Sequence, residues 1–472
     1  MWSVSTERGG TFLVMQGPDA PPSDALVALS GWGRTAPTGA RLTSPATTDA
    51  VVAALLAAGE RGLVARGLGR SYGDAAQNAG GSVLDMTALT AIRSIDVRRG
   101  VIDCESGVSL DRLMRLLLPL GWFVPVTPGT RQVTVGGAIG ADVHGKNHHV
   151  SGAFSRHVRS FELLTADGRV RTVTPADDPE LFWATAGGMG LTGVVLSARI
   201  QLLAVQTSLI SVDTERAVDL DDLMARLDAT DHRYRYSVAW IDLLARGGSL
   251  GRAVLTRGDH APLDQLGPRQ LRSPLAFRTA DLPAVPRGIP GGLLSAATVG
   301  AFNEFWYRRA PRERRGQLQT IPAFFHPLDG LPEWNRIYGP VGFLQYQFVV
   351  PYGEEAALRR IVETIGRHRC PAFLAVLKRF GEGDPGWLSF PSPGWTLALD
   401  VPAGLPGLGR LLDGLDEQVL AAGGRVYLAK DSRLRPETLA PMYPRLDDFR
   451  ALRARIDPGN RFTSDLARRL SL

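Results

Sequence analysis

The segment from Thr134 to His149, TVGGAIGADVHGKNHH, combines four glycines with three histidines, a lysine and an asparagine. Imidazole rings are common ligands of zinc and other transition metals, so a metal site is one interpretation. Glycines let an anion approach the backbone N–H groups closely, so a phosphate-bearing cofactor is the other. This segment alone does not decide between the two.

Lysine is rare in this chain, because only three of its 53 basic residues are lysines: Lys146, Lys378 and Lys430. Arginine therefore serves wherever a positive charge is sufficient. A lysine that is retained indicates a place for a compact ammonium, which unlike guanidinium loses its proton readily when it is buried. We therefore treat all three lysines as candidate site residues.

Two glycine-rich loops, 66–74 and 129–145, could each present successive N–H groups to a pyrophosphate. The sequence GMGLTG at 188–193 has the letters of a dinucleotide-binding fingerprint. That fingerprint follows a strand and opens a helix. Here a predicted helix, DPELFWATAGG, precedes the motif and a predicted strand, 193–205, follows it. A Rossmann-type site is therefore not expected.

Composition sets the bounds on class and partners. A chain of 472 residues with 44% hydrophobic residues is expected to form two or three globular domains. Its net charge of +6 is small for this length, so nucleic acid is not an expected partner. Two cysteines, Cys104 and Cys370, are too few for a disulfide framework. The sequence contains no signal peptide and no apolar run of the roughly 18 residues that a membrane span needs.

The predicted elements are those of an α+β protein. The first half has short strands, two hairpins (92–107 and 158–175) and a helix that Ser109 caps and Gly121 ends. After about residue 206, strands at 342–351, 372–381 and 394–402 alternate with helical segments, which predicts a large sheet with helices on one face. Residues 262–300 show no clear period and are predicted to be a long mobile loop.

The motifs together resemble a known family. GWGRTAP, ARGLGRSYGDAAQN, PGTRQVTVGGAI, DVHGKNHH, LFWATAGG, EWNRIYGP, GFLQYQF and AKDSR are similar to the flavoprotein subunits of decaprenylphosphoryl-β-D-ribose 2′-epimerases. These belong to the FAD-dependent vanillyl-alcohol-oxidase and p-cresol-methylhydroxylase superfamily. The resemblance implies an α+β, two-domain flavoprotein: a leader at 1–28, an FAD-binding domain at 29–205, a substrate domain at 206–424, and a return to the FAD-binding domain at 425–472.

The resemblance also implies an activity. Such enzymes use FAD to oxidise the 2′-hydroxyl of a polyprenylphosphoryl ribofuranose, and a separate NADH-dependent reductase converts the ketone to the arabinose donor for cell-wall arabinan. A flavin is a suitable hydride acceptor for this step. A lipid-linked substrate implies peripheral membrane contact, on a side of the membrane that the sequence does not decide. We expect the loop at 262–300 to make that contact and to cover the prenyl chain beside the Gln345–Gln347 strand.

The resemblance assigns the cofactor-binding residues to the two glycine loops and two later positions. They are Ala65, Arg66, Gly67, Leu68, Gly69, Arg70, Ser71, Tyr72, Gly73, Asp74, Ala75, Gly129, Thr134, Val135, Gly136, Gly137, Ala141, Asp142, Val143, His144, Val195 and Tyr427. Covalent members of the superfamily tether the flavin through a histidine in the first loop. Here that neighbourhood reads Arg70-Ser71-Tyr72, so we predict non-covalent FAD.

The substrate-binding residues that the resemblance implies include all three lysines: Lys146, Trp240, Gln345, Gln347, Lys378, Thr396, Ala398 and Lys430. Lys430 is the first candidate for catalysis, as a neutral base or as an ammonium that stabilises negative charge. Tyr72 is the competing base. His144 is expected against the flavin, with His148 and His149 stabilising the loop, and no metal is expected.

The chain departs from its family at two positions. Relatives often carry a cysteine where this chain has Ala398, and that cysteine is the attachment point of nitroaromatic inhibitors but is not needed for turnover. Relatives often have asparagine at Thr396, so the polar contacts of the pocket are expected to differ there. We expect turnover to survive and covalent inhibition to fail.

Two other functions are compatible with the sequence. A sugar-lactone or alditol oxidase of the same superfamily would use oxygen and a simple polyol. A flavin- or lipid-binding module without turnover is the second alternative.

Overall fold

A computed structural model describes residues 25–279 and 282–472 in full, and residues 2–7 and 10–15 as backbone only. The predicted leader, 1–28, therefore falls largely outside the described residues. Where it is described, Trp2–Glu7 pairs with Gly10–Met15, and Val27–Leu29 joins the first domain by pairing with Thr38–Thr43. None of the helices in the described parts of the chain is long and apolar enough to cross a membrane.

The first domain contains two sheets. A four-stranded sheet has the order Val27–Leu29, Thr38–Thr43, Ser82–Asp85, Leu63–Arg66, and its last three strands run parallel. An antiparallel five-stranded sheet has the order Val170–Val173, Val158–Leu164, Val194–Gln201, Val101–Glu105, Ile92–Asp96. The helices here are Thr48–Leu56, Leu110–Leu117, Val135–Gly140, His148–Ser151 and Pro179–Thr185.

Local signals place these elements. The Ser109 hydroxyl accepts a hydrogen bond from the N–H of Arg112 and so caps the helix Leu110–Leu117. One more short turn follows before Gly121, whose φ of 79° ends the segment in the left-handed region. GMGLTG lies between the helix Pro179–Thr185 and the strand Val194–Gln201. This is the reverse of a Rossmann arrangement.

The second domain is built on an eight-stranded antiparallel sheet. Its order is Glu313–Thr320, Leu209–Ala217, Ala253–His260, Tyr236–Ile241, Ala375–Phe380, Gly394–Pro402, Phe343–Val350, Arg425–Val426. Its helices are Leu220–Thr230, Pro268–Leu271, Ala296–Arg309, Ile321–Phe325, Glu355–Arg367 and Leu408–Ala421. The chain ends with Pro436–Met442, Leu446–Ile456 and Asp465–Leu470, and Phe462 forms a parallel bridge to Leu63 of the first domain.

Alternation along these strands divides the sheet into two faces. Tyr346 and Phe348 belong to the same buried core as Leu358 and Leu411 of the helices, whereas Gln345 and Gln347 line a cavity on the opposite face. Because successive side chains of a strand point to opposite faces, one face holds the helices and the other is free for a site. The predicted architecture, a FAD-binding domain with a large antiparallel sheet and helices on one face, is confirmed.

The segment at 262–300 is not structureless throughout. It contains the helix Pro268–Leu271, and the helix Ala296–Arg309 begins inside it because the Ser295 hydroxyl caps that helix. Three apolar side chains of the segment, Leu275, Phe277 and Leu294, are partly buried and pack against the protein core. No described residue of the segment lines the cavity. In this structure it therefore does not cover the Gln345–Gln347 strand.

Candidate active site

A cavity of about 450 Å³ lies between the glycine loops of the first domain and the open face of the large sheet. Its described lining residues include five cationic side chains and no carboxylate: Arg66, Arg70, Lys146, Lys378 and Lys430. The two loops and the three lysines that the sequence singled out therefore meet in one place. Such a wall favours anionic ligands.

The two glycine loops contact each other directly. A Cβ on Gly67 would lie 2.2 Å from the Thr134 hydroxyl, so only glycine fits there. Gly129 and Gly190 line the cavity and have no other group near the position of a Cβ, so their bare backbone opens into the cavity. Arg66 donates to the carbonyls of Ala76 and Ser30 and thus holds the first loop. This cradle fits a large flat cofactor that carries phosphates.

His144 lies at the junction of the loop and the sheet. Its Nε2 is 2.9 Å from the side-chain nitrogen of Gln347, which also donates to the Thr396 hydroxyl. Burial, followed by the charges of Lys378 and Lys430, holds the pKa of His144 well below its usual value. The imidazole is therefore neutral and accepts from Gln347 at Nε2, which leaves Nδ1 as a buried donor with no partner among the described residues. An unsatisfied donor of this kind fits a bound acceptor such as a flavin.

Lys430 lies over the ring of Tyr72, with Nζ 3.9 Å from the ring centroid. Burial lowers the pKa of Lys430 to about 7, although Asp400 acts in the opposite direction. Burial and the charge of Asp400 raise the pKa of Tyr72 well above its ordinary value. Near neutral pH, Lys430 therefore has a substantial neutral fraction whereas the Tyr72 phenol keeps its proton.

The other two lysines differ in their contacts. The Lys146 ammonium donates to the Phe324 carbonyl and lies 4.3 Å from the centroid of the Phe324 ring. The Lys378 ammonium has no hydrogen bond or salt bridge to a described residue. Burial lowers the pKa of Lys146 to about 7 and that of Lys378 to about 8.

Five predicted site residues lie behind the cavity wall. They are Gly73, Asp74, Val135, Asp142 and Thr396, none of which lines the cavity in the described structure. Each has a structural partner instead. Asp74 forms a two-pronged ion pair with Arg469, and Asp142 accepts from the Ser155 N–H and the Ser389 hydroxyl. Gly73 lies against the Asp431 carbonyl, Val135 is core, and Thr396 supports Gln347. All other predicted site residues line the cavity.

The histidines outside the cavity hold the second loop against the substrate domain. The His148 Nε2 is 2.6 Å from the Asp384 carboxylate, and its Nδ1 accepts from the N–H of Gly381. The His149 ring donates to the carbonyl of Tyr234. Within the described ranges, no cluster of three or more His, Cys, Asp or Glu side chains is arranged to hold a metal ion.

The sequence analysis missed several residues of the site. Trp32 and Trp334 line the cavity together with Val238, Val376 and Trp306. Val376 and Val238 each lie two residues before a predicted site residue on the same strand, so strand alternation could have identified them. Asp400 was also missed: its carboxylate is fully buried and accepts from the Gln345 amide. No local signal marks Trp306, because a distant part of the chain brings it to the cavity.

Comparison with known proteins agrees with this geometry. The profile described as "FAD binding domain" matches residues 40–174, and the profile described as "D-arabinono-1,4-lactone oxidase" matches residues 341–470. The chain is 49% identical to decaprenylphosphoryl-β-D-ribose oxidase of Mycolicibacterium smegmatis over 94% of this chain and 97% of that protein. An uncharacterized protein of Streptomyces coelicolor is 52% identical over 77% of this chain and all of its own length. Alditol oxidase of a Streptomyces species is 25% identical over 94% of this chain.

These comparisons confirm the predicted family and cofactor. The identity to the mycobacterial oxidase extends over both domains, and the FAD-binding profile covers both glycine loops. The chain therefore belongs to the decaprenylphosphoryl-β-D-ribose oxidase family and is an FAD-dependent oxidoreductase.

Proposed function

We propose that this chain oxidises the 2′-hydroxyl of a polyprenylphosphoryl-β-D-ribofuranose to the 2′-ketone. The observation that carries the proposal is the composition of the cavity wall, where two arginines, three lysines and no carboxylate line the described part. A negatively charged cofactor and a negatively charged sugar phosphate both suit such a wall. The name of the mycobacterial relative supports a lipid-linked ribose as the substrate.

The chain's own residues supply the proton chemistry. The two glycine loops would hold FAD, which would supply an acceptor for the hydride on C2′ of the sugar. The 2′-hydroxyl must lose its proton in the same step, and we assign neutral Lys430, which lines the cavity, as the base that takes it. The phenol of Tyr72 keeps its proton, so Tyr72 does not serve as the base. Its ring face contacts the Lys430 Nζ and so positions that side chain.

Four residues orient the reacting groups. Gln347 fixes the tautomer of His144, whose Nδ1–H is then free to donate to the cofactor or the sugar. Lys378 has no partner among the described residues, and Lys146 retains two of its three N–H donors. We assign both lysines to the phosphate of the substrate, where charge-assisted hydrogen bonds are strong.

Two partners follow from this proposal. The ketone must be reduced from the opposite face to give the arabinose epimer, so a separate NADH-dependent reductase must consume it. A prenyl chain also requires peripheral contact with the bilayer that contains the substrate.

Anaerobic mixing with a short-chain prenylphosphoryl ribose tests the proposal. The flavin absorbance should bleach, and the Lys430→Met variant should keep its flavin but lose most of this reduction. A prenyl riboside without phosphate is the control, because it cannot engage Lys146 and Lys378. Rapid hydrogen peroxide formation from simple polyols, without reduction by the phosphorylated sugar, would instead indicate an alditol or lactone oxidase. A flavin that neither substrate reduces would indicate a binding module.

A further inference from the structure

The last turn of the helix Ala296–Arg309 exposes two large aromatic side chains. Phe305 is 58% exposed and Trp306 is 44% exposed. The opposite side of this helix is anchored, because Asn303 donates to Asp242 and Tyr307 donates to the Ala217 carbonyl. The two aromatic rings are therefore held outward by a fixed helix, and an apolar patch of this kind usually marks an interaction surface.

Arginines follow these aromatic rings closely in the sequence YRRAPRERR, 307–315. Glu304 pairs with Arg308 and Arg252, and Glu313 pairs with Arg315. Arg309, Arg312 and Arg314 are exposed and form no salt bridge with a described residue. Arg309 and Arg314 are five residues apart, so their Cα atoms lie within about 18 Å of each other. The three unpaired charges therefore follow the exposed rings closely along the chain, and the Arg309 guanidinium lies 5.8 Å from the centroid of the Phe305 ring.

Trp306 connects this region to the active site, because the same side chain that is exposed on the surface also lines the cavity. Its ring stacks on Phe302, which in turn packs against Phe373. Trp306 itself is therefore the apolar link between the surface and the cavity wall, and the ring of Phe302 supports it.

We propose that Phe305, Trp306, Arg309, Arg312 and Arg314 form a docking surface for an anionic phospholipid bilayer. The aromatic rings enter the headgroup boundary, where amphipathic and aromatic side chains are favoured, while the arginines contact lipid phosphates. The inference rests on the proposed function, because the lipid tail of the substrate makes bilayer contact necessary. The cavity mouth at Trp306 would then face the membrane that holds the substrate.

Co-sedimentation of the holoenzyme with vesicles tests this surface. We expect binding to vesicles of equal parts phosphatidylglycerol and phosphatidylcholine, and little binding to phosphatidylcholine alone. Each arginine near an anionic surface contributes about 1 kcal/mol, so Arg309→Gln, Arg312→Gln and Arg314→Gln combined should weaken binding about 100-fold. Phe305→Ser should weaken it about tenfold, because one aromatic side chain no longer enters the boundary.

A matched control removes the same charge elsewhere. Arg98→Gln, Arg99→Gln and Arg169→Gln combined changes three exposed arginines on hairpin turns of the first domain, and should leave vesicle binding within about twofold of the unchanged protein. The flavin spectrum of every variant reports whether the fold is intact. If both triple variants lost vesicle binding equally, the binding would depend only on net charge and the proposed docking surface would be wrong.

Other outcomes separate this inference from the proposed function. The docking surface would be overturned if the wild type bound both vesicle types equally, or if the triple arginine variant bound vesicles as tightly as the wild type. The protein could instead self-associate without binding vesicles, and Phe305→Ser could abolish that association. This result would show that the surface is a protein interface and would also overturn the docking surface. Reduction of the flavin by a short-chain prenylphosphoryl ribose without vesicles should be unaffected in the arginine variant. If that reduction fails in the wild type while vesicle binding follows the expected order, the proposed function fails and the surface stands.

Discussion

Lys378 provides a test of how the cavity lysines are held. The residue lies on the strand Ala375–Phe380 in the middle of the large sheet, and its ammonium has no hydrogen bond or salt bridge to a described residue. Burial lowers its pKa from 10.5 to about 8. A buried charge that is not paired destabilises the fold until an anion meets it.

The substitution Lys378→Met removes this charge and keeps most of the side-chain volume. A fall in pKa from 10.5 to about 8 corresponds to about 3 kcal/mol. Because Lys378 lines the cavity and is only partly buried, we discount this figure and expect a gain in the free energy of unfolding of about 2 kcal/mol. For a chain of 472 residues this raises the apparent Tm by about 2 °C.

The pH dependence of this gain follows from the direction of the pKa change. Below pH 8, the folded and the unfolded chain both carry the proton, and the folded chain bears the full cost of the buried charge. Between pH 8 and 10.5 only the unfolded chain carries it, so the cost disappears as the pH rises. The stabilisation by Lys378→Met should therefore be largest near pH 7 and nearly absent above pH 10.

Differential scanning fluorimetry of the holoenzyme at pH 7 and pH 10 measures this difference. The KM for a prenylphosphoryl ribose should rise at least about tenfold in the same variant, because a charge-assisted hydrogen bond is lost. The control is Val376→Met on the same strand and the same face, which adds an apolar side chain without removing a charge. A Tm that falls at pH 7, or a gain that persists unchanged at pH 10, would refute the reasoning.

Three further predictions concern the reaction and the cofactor. The substitution Asp400→Asn removes a charge that raises the pKa of Lys430. The acid limb of the pH profile for flavin reduction should therefore move to lower pH. Stopped-flow measurement of the reduction across pH 5 to 9 tests this, and an unchanged limb would contradict it. Ala398 lines the cavity, so Ala398→Cys should gain a nitroaromatic adduct that intact-mass spectrometry detects, whereas the unchanged protein should give none. Acid denaturation should release all of the FAD as the free compound. Flavin that remains on the polypeptide would show that FAD is attached covalently although the first glycine loop has no histidine.

Local signals in the sequence were sufficient for much of the fold and the site. Ser109 caps its predicted helix because a hydroxyl at that position satisfies an N–H of the first turn. The three lysines could be identified because the chain uses arginine almost everywhere else. All three lie in the cavity, where a buried side chain that can lose its proton is required. Asp400 was missed although it follows Thr396 and Ala398 at every second position of the same strand. Because alternate residues of a strand share a face, this spacing could have identified the Asp400 carboxylate.

Side-chain direction within the glycine loops could not be read from the sequence. The chain order of the first loop does not show that the Asp74 side chain turns away from the cavity towards Arg469, because its partner lies 395 residues away. Nor does any local pattern show that Leu275 and Phe277 pack on the core, since such packing depends on the finished tertiary structure. The docking surface was equally hidden, because it combines a helix end with the start of an edge strand.

The contacts of Arg469 bear on when the first glycine loop becomes fixed during folding. This one side chain pairs with Asp74 of the first glycine loop and with Asp431, the neighbour of Lys430. Asp465 likewise accepts from the N–H of Ala79, 386 residues earlier. Residues 395 positions apart must therefore come together before the first loop is held in place. Such long-range contacts carry a large loop-closure entropy and form slowly, so we expect the first loop to become ordered late in folding.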